Sequence, residues 1–229
     1  MLEKNNDKYA FFDVDGTLIT KKSMFSFREY LRGKINRYSG IKGNIRYLFH
    51  KKEHEFLDFL GINREYLNIL YYKKFKGIKN NDIESLVDDW YKKESNQESF
   101  YVKRSVERLR EHKKNGIKIV LVSGSFSQLL QPLAKDLGAD YCLVNNPEVV
   151  DGVLTGALIP PQTIGEGKAK AIQHFVDNKK IDLSICFAYG DHRSDIPMLE
   201  SVGNPVVIPL DSVLVEYAKI NNWGLIKLN

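Results

Sequence analysis

Cysteine is scarce in this chain: only Cys142 and Cys186 occur among 229 residues. Two cysteines build neither a disulfide framework nor a cysteine metal site, and their scarcity fits a reducing compartment, the cytoplasm. Both fall in apolar runs that read as buried strands, where a thiol serves as a small core group. Long hydrophobic runs are missing too. No window reaches the roughly 18 consecutive apolar residues that a spanning helix needs. Met1 to Lys8 is polar and charged, without the apolar stretch of a signal peptide. No repeat or low-complexity tract stands out. The hydrophobic fraction of 43% is too high for a disordered chain, and the length suits one core domain plus a modest insert.

Negative charge is nearly absent from one segment. From Thr20 to Lys52 only Glu29 is acidic, against ten basic residues: Lys21, Lys22, Arg28, Arg32, Lys34, Arg37, Lys42, Arg46, Lys51 and Lys52. The other 24 of the 34 basic residues face 28 acidic ones, so the net excess of +5 is local. A charge run is most simply a solvated face. The sharper reading is a guide for an anionic substrate, or a peripheral contact of residues 21–52 with anionic membrane. The interleaved Phe25, Phe27, Tyr30, Tyr38, Tyr47 and Phe49 read as core of this segment, or as a pocket lining or bilayer contact. No nucleic-acid motif accompanies the stretch, so no nucleic-acid partner is expected. His50 and His54 stand at i, i+4, but without a suitably placed Glu they make no zinc motif.

Apolar runs alternate with helical periodicity over most of the chain, the mark of an α/β fold with a mainly parallel sheet. Expected strands are Tyr9–Val14, Ile117–Val122, Tyr141–Val144, Ser184–Tyr189, Pro205–Ile208 and Gly224–Leu228. Helices are expected over Phe100–Lys114, Ser127–Leu137, Lys168–Val176, Ile196–Val202 and Val213–Ile220, several stopped by glycine. Asp151-Gly152 between apolar residues signals a hairpin within Glu148–Ile159. Lys21–Ser95 breaks the rhythm. It is helical and aromatic-rich, with Phe27, Leu31, Ile35 and Tyr38 at helical spacing and a helix over Asp82–Lys93. The domain expectation is a core of residues 1–20 and 96–229 and a helical cap of 21–95 that closes over the sheet and excludes water.

Four segments carry chemistry. Phe11-Phe12-Asp13-Val14-Asp15-Gly16-Thr17-Leu18 ends an apolar run with two carboxylates two residues apart. A strand would aim both at one face, and two like charges that close need a cation or a proton. A nucleophile paired with an acid/base and bridged by magnesium is one use; two solvated aspartates at a strand end is the plainer one. Val120-Leu121-Val122-Ser123-Gly124-Ser125 ends a strand in hydroxyl and glycine residues, Gly165-Glu166-Gly167-Lys168 puts a lysine at a helix start, and Gly190-Asp191-His192-Arg193-Ser194-Asp195 adds two aspartates at another strand end. Ligands of parallel α/β sheets bind beyond the carboxyl ends of the strands, so Asp13, Ser123 and Asp191 should converge on one crevice.

The order Asp-x-Asp, Ser, Lys, Gly-Asp-x-x-x-Asp resembles the haloacid dehalogenase superfamily from about Tyr9 onward. The insert directly after the first motif makes the chain similar to subfamily IB, the phosphoserine-phosphatase-like branch. The resemblance implies a Rossmann-like core with a C1-type cap and a phosphomonoester hydrolase. It implies Asp13 as the nucleophile that becomes an aspartyl-phosphate, and Asp15 as general acid and then base. Magnesium would take the Asp13 carboxylate, the Asp15 carbonyl and the Asp191 carboxylate. Ser123 and the Gly124 amide would hold the phosphoryl group, Lys168 would offset charge on the nucleophile and phosphate, and Asp195 would orient Lys168 or a metal-bound water. Ser194 stands where relatives often carry Asn. Phosphoserine-specific relatives have a glutamate nine residues after the nucleophile to bind the substrate's ammonium; here that position is Lys22, which would repel it. L-phosphoserine is therefore not the expected substrate. Lys22 would instead meet a second negative group or stand exposed at a hinge. His192 and Arg193 lie in the last aspartate loop, within reach of the phosphate or leaving group unless they face solvent. A phosphatase acting on lipid phosphates at a membrane surface, a phosphotransferase, and a basic anion-binding module on an inactive core are the alternatives.

Overall fold

Strand β1 (Tyr9–Phe12) sits inside a seven-stranded sheet with every residue buried. The computed structural model describes residues 7–35, 60–227 and the single positions 45, 48, 52 and 57. The further strands are β2 (Lys118–Phe126), β3 (Tyr141–Val150), β4 (Val153–Ile159), β5 (Phe187–Gly190), β6 (Asn204–Val207) and β7 (Gly224–Leu225). Their spatial order is β4-β3-β2-β1-β5-β6-β7, with only the β3–β4 pair antiparallel.

Two-sided burial explains why the central strands read as continuous apolar runs. Alternate residues of β1 enter opposite layers. Ala10 and Phe12 pack with Leu121 under helices α4 (Lys103–Lys114) and α5 (Ser127–Leu137), through Val106, Leu109, Leu130 and Leu133. Tyr9 and Phe11 pack with Val120 under α6 (Glu166–Lys179), α7 (Ile196–Glu200) and α8 (Ser212–Ile220), through Ile172, Met198, Leu199 and Leu214. In the first layer Phe12 stacks on Tyr189 at 4.2 Å between ring centroids, and Tyr189 Oη lies 2.7 Å from His112 Nε2.

The inserted segment contributes α1 (Ser23–Tyr30), α2 (Arg64–Lys73) and α3 (Asn80–Ser95). Phe27, Tyr72, Ile83 and Trp90 from these helices share a third cluster with Phe126, Leu129 and Leu154 of the sheet and α5. Backbone bonds add to that seam: Gly77 N donates to Leu154 O at 2.8 Å, Leu154 N to Ile78 O at 2.9 Å, and Asn80 N to Gly152 O at 2.9 Å. The hairpin thus props the insert through both backbone and side chains.

Several expectations need adjustment. β3 runs unbroken from Tyr141 to Val150, pairing parallel with β2 and then antiparallel with β4, where a strand and a separate hairpin were expected. β1 ends at Phe12, so Asp13 and Asp15 stand in the turn beyond the ladder, and strand alternation does not place them. Helix α1 ends at Tyr30, with Leu31 as its C-cap, so the Phe27–Leu31–Ile35 spacing outruns the helix. Tyr38, Tyr47, Phe49, His50 and His54 lie outside the described residues. Cys186 is buried as expected, but Cys142 is exposed. No helix among the described residues is long and apolar enough to cross a membrane.

Candidate active site

The parallel strands β1, β2 and β5 all end at one side of the sheet, and their following turns meet around a cavity of about 370 Å³. Asp13, Asp15, Ser123, Gly124, Lys168, Asp191 and Asp195 all line it, together with Lys22 from the insert. Asp13 N still donates to Tyr189 O at 2.9 Å, which anchors the first turn to β5. Gly16 then reverses the chain at φ +97°, a conformation that a side chain would strain. A Cβ at Gly16 would also run into the Asp191 carboxylate, so the glycine is what lets these two turns touch.

Lys168 is the electrostatic hub. Its Nζ donates to Asp13 Oδ1 at 2.6 Å and to Asp195 Oδ1 at 2.7 Å, and all three residues are buried. Burial alone would lower the Lys168 ammonium; the two carboxylates outweigh it and hold the group protonated. Burial pushes the Asp13 carboxyl up, Lys168 opposes this, and Asp191 adds to it. The Asp191 carboxyl is raised as well, by burial against the pull of Lys22, while Thr17 Oγ1 donates to its Oδ1 at 3.2 Å. Asp195 has both oxygens engaged, the second accepting from His192 N at 3.2 Å.

Carboxylate oxygens of Asp13, Asp191 and Asp195 lie within 4.8 Å of one another. Lys168, with Lys22 4.0 Å from Asp191, still leaves three buried carboxylates short of one positive charge. These are hard oxygen donors, so the site suits a hard divalent cation.

Asp15 differs from its neighbours. Ser23 bonds its carboxylate with side chain and backbone, yet Oδ1 is buried with no protein partner. A charged oxygen in that position is costly, and burial with the nearby Asp13 charge raises the Asp15 carboxyl to about 6. Its proton equilibrium is thus shifted from the usual carboxylate range toward neutral pH.

Opposite the aspartates, Ser123 Oγ accepts from Ser125 N at 3.1 Å, a turn that keeps the hydroxyl at the strand end. Asn145 ties this turn to the loop before α6: its Nδ2 donates to Gly124 O at 2.6 Å, and its Oδ1 accepts from Thr163 N at 2.8 Å. A Cβ at Gly124 would collide with Ile164 of that loop, so the glycine permits the close approach.

Lys22 Nζ donates to Asp15 O at 3.1 Å and stands 4.0 Å from Asp191 Oδ2, with about half its side chain exposed. Arg193 does not reach the cavity. Its Nε and Nη2 donate to the two oxygens of Asp211 at 2.8 and 3.0 Å, and its backbone N adds a third bond, so the expected role on the substrate is not supported by its geometry. The partner, Asp211, caps α8 and gave no sign in the sequence. His192 does line the cavity, with its ring folded back to cap the following turn. Sequence reasoning missed Arg64 and Asn68, which α2 places on the cavity wall. They sit in an ordinary amphipathic helix far from any motif, and nothing local marks them.

The basic stretch is no uniform solvated face among its described members. Lys21 binds Glu94, Arg28 is buried with its guanidinium 5.2 Å from the Phe25 ring centroid, and Lys34 lies over Tyr30.

The family model for haloacid dehalogenase-like hydrolases matches residues 10–200. The chain belongs to this family. It is a hydrolase of the phosphatase type, and all four motif segments lie within the matched range. A probable phosphatase of Mycobacterium tuberculosis is 28% identical over 229 residues, covering 96% of this chain and 75% of its own length. A Bordetella pertussis protein described as of unknown function superposes with a TM-score of 0.87 at 21% identity, covering 98% of this chain and all of its own. A substrate-bound phosphoserine phosphatase shares the fold at a TM-score of 0.64 and 20% identity, over 93% and 91% of the two chains.

Proposed function

We propose that this hydrolase cleaves a small-molecule phosphomonoester in two steps through an aspartyl-phosphate on Asp13. The observation that carries the reading is the contrast between two aspartates in one cavity. Asp13 is bonded to the buried Lys168, whereas Asp15 keeps a buried, unpartnered oxygen and a carboxyl raised to about 6.

In the first step a carboxylate oxygen of Asp13 attacks phosphorus. The ester P–O bond breaks, and the leaving oxygen takes the proton of Asp15. In the second step Asp15, now a carboxylate, takes a proton from water as the water oxygen attacks phosphorus. The Asp13 carboxylate is released with inorganic phosphate. Lys168 offsets charge on the nucleophile and the transferring group, and Asp195 holds Lys168 in place. Ser123 and the Gly124 amide bind phosphoryl oxygens.

The cation we infer is magnesium, which the carboxylates of Asp13 and Asp191 would hold together with the carbonyl of Asp15, the atom that now accepts from Lys22. When bound it supplies positive charge that offsets the phosphoryl oxygens and brings the anionic nucleophile and substrate together. Residues 21–95 are read as the cap and the remainder as the core, with the cap limiting water at the site. Cytoplasmic residence accords with this reading.

The test is phosphate release from a broad panel of phosphomonoesters, with magnesium and with chelator. Asp13→Asn should abolish turnover in a protein that still folds. Retained activity in that variant sinks the nucleophile assignment, and the absence of turnover on every ester sinks the hydrolase reading.

A further inference from the structure

The ladder between β2 and β3 skips two residues beside the cavity. Ser123 pairs with Val144 and Phe126 with Asn145, so Gly124 and Ser125 bulge out opposite a single step of β3. A bulge of this kind re-aims side chains and leaves its own backbone groups without ladder partners. Asn145, the residue across from the bulge, supplies the missing partner. It is buried and does not line the cavity. Its Nδ2 donates to Gly124 O at 2.6 Å, and its Oδ1 accepts from Thr163 N at 2.8 Å. Only one orientation of the amide satisfies both, since a backbone oxygen needs a donor and a backbone N–H needs an acceptor.

The Gly124 carbonyl and the Ser125 N–H belong to one planar trans peptide and point in opposite directions. With the oxygen held by Asn145, the N–H reaches Ser123 Oγ at 3.1 Å. A hydroxyl has two lone pairs and one hydrogen. Ser125 N–H takes up one lone pair, and among the described residues Ser123 Oγ donates to no acceptor. Its hydrogen is therefore free for a ligand in the cavity that Ser123 lines. Turned the other way, the same peptide would present its carbonyl oxygen to Ser123 and take that hydrogen. The second bond of the amide reaches the loop that carries Lys168. Thr163 is followed by Ile164, which lies against Gly124, and by Gly165, whose O accepts from Lys168 N at 3.0 Å.

Building on the phosphatase reading, we propose that Asn145 is a positioning residue for the phosphoryl group. It touches no substrate. It holds the Gly124–Ser125 peptide so that the Ser123 hydroxyl donates to a phosphoryl oxygen instead of to its own backbone. Through Thr163 it also keeps that donor in register with the Lys168 loop. Other side chains fail on one side or the other. An apolar residue would leave Gly124 O and Thr163 N buried without partners, and a carboxylate would accept from Thr163 N yet repel Gly124 O.

The test is a double-mutant cycle read by calorimetry of inorganic phosphate with magnesium present, so that binding is measured apart from turnover. Ser123→Ala should weaken phosphate at least about 10-fold, the loss of one hydrogen bond to a charged group. Asn145→Leu should weaken it by a similar factor. It is neutral and so adds no charge that acts on phosphate directly. In the Ser123→Ala background the same substitution should cost less than about 3-fold more, because the hydroxyl it positions is already gone. Urea unfolding checks that each variant folds, and Asn145→Ser, equally neutral and smaller, carries the comparison if Asn145→Leu does not. Losses that multiply in full in the double variant overturn the proposal, since a general structural role would give that result. So does wild-type phosphate affinity in a folded Asn145 variant. Phosphate binding that is absent from the wild type, or unchanged by Ser123→Ala, overturns it as well. Failure of the phosphatase reading would appear separately, as absent ester turnover with the non-multiplying cycle intact.

Discussion

Replacing Lys168 by Met asks how much the buried aspartates depend on one ammonium. The side chain is 7% exposed and its partners Asp13 and Asp195 are 6% and 1% exposed, so without it the two carboxylates are left with little solvent screening. Without the lysine, the least costly escape in the metal-free protein is to protonate one carboxyl. An ordinary aspartate titrates near about 3.9, and each further pH unit costs about 1.4 kcal/mol. At pH 7 the penalty is therefore at most about 4 kcal/mol, and smaller to the extent that burial already raises these carboxyls. This agrees with the roughly 3–5 kcal/mol lost when one partner of a buried ion pair is removed. At pH 5 the same escape costs only about 1.5 kcal/mol. Urea unfolding of both proteins in chelator at the two pH values measures the gap, and other titrating groups cancel in the difference. Added magnesium should recover part of the loss, since a ligand of the native state alone adds about 2.7 kcal/mol at 100 times its Kd. A gap below about 1 kcal/mol at pH 7, or one that does not narrow at pH 5, would refute the reasoning.

Three other perturbations probe the surroundings. His112 is buried against Tyr189, and desolvation lowers its imidazole from 6.5 to about 4. A depressed histidine stabilises the fold fully above 6.5 and loses that contribution as pH falls toward 4. His112→Gln should remove up to about 3 kcal/mol of this acid sensitivity, and identical pH profiles for the two proteins would exclude the mechanism. Gly16→Ala should cost about 1–3 kcal/mol through its positive φ and also weaken magnesium binding by displacing Asp191. Wild-type values in both urea unfolding and a calorimetric magnesium titration would show that the turn tolerates a side chain. Arg193→Ala should lower the melting temperature slightly by freeing Asp211 while KM for the best ester stays at the wild-type value; a large rise in KM would return Arg193 to the substrate.

The sheet was legible in the sequence because its central strands are buried on both faces. Phe11-Phe12 and Ile119–Val122 leave no polar position to disguise, and each run stops where the chain turns toward the cavity. β3 was harder to read. Asn145-Asn146-Pro147 resembles a loop by composition, yet Asn146 and Pro147 pair with Ile159 and Leu158 in the antiparallel ladder. Asn145 is polar and buried because it spans two loops, a role visible only after those loops are placed side by side. The expected α1 repeat ran past the helix end for a related reason. Leu31 and Ile35 both reach the third cluster, so their burial persists although the helix does not.

The cavity floor and its rim differ in how they are encoded. The floor needs several charges held within a few ångströms, and backbone turns at strand ends are the stiffest way to do that. Asp13, Asp15, Ser123, Asp191 and Asp195 therefore sit in short motifs whose glycines allow close approach, and short motifs are what a sequence displays. The rim is made where long side chains such as Lys22 and Arg64 arrive from the insert. Arg64 sits on a helix surface whose spacing is set by Leu67 and Tyr71 packing inward, so its identity is free of the fold and leaves no pattern around it. Lys22 became legible only because it follows Asp13 at a fixed short interval. Arg64 can thus change without disturbing the aspartates, whereas a change at Lys22 reaches them directly. The charge of residue 22 is where such a change would be felt first, since its Nζ already lies against the Asp15 carbonyl beside the reacting aspartates.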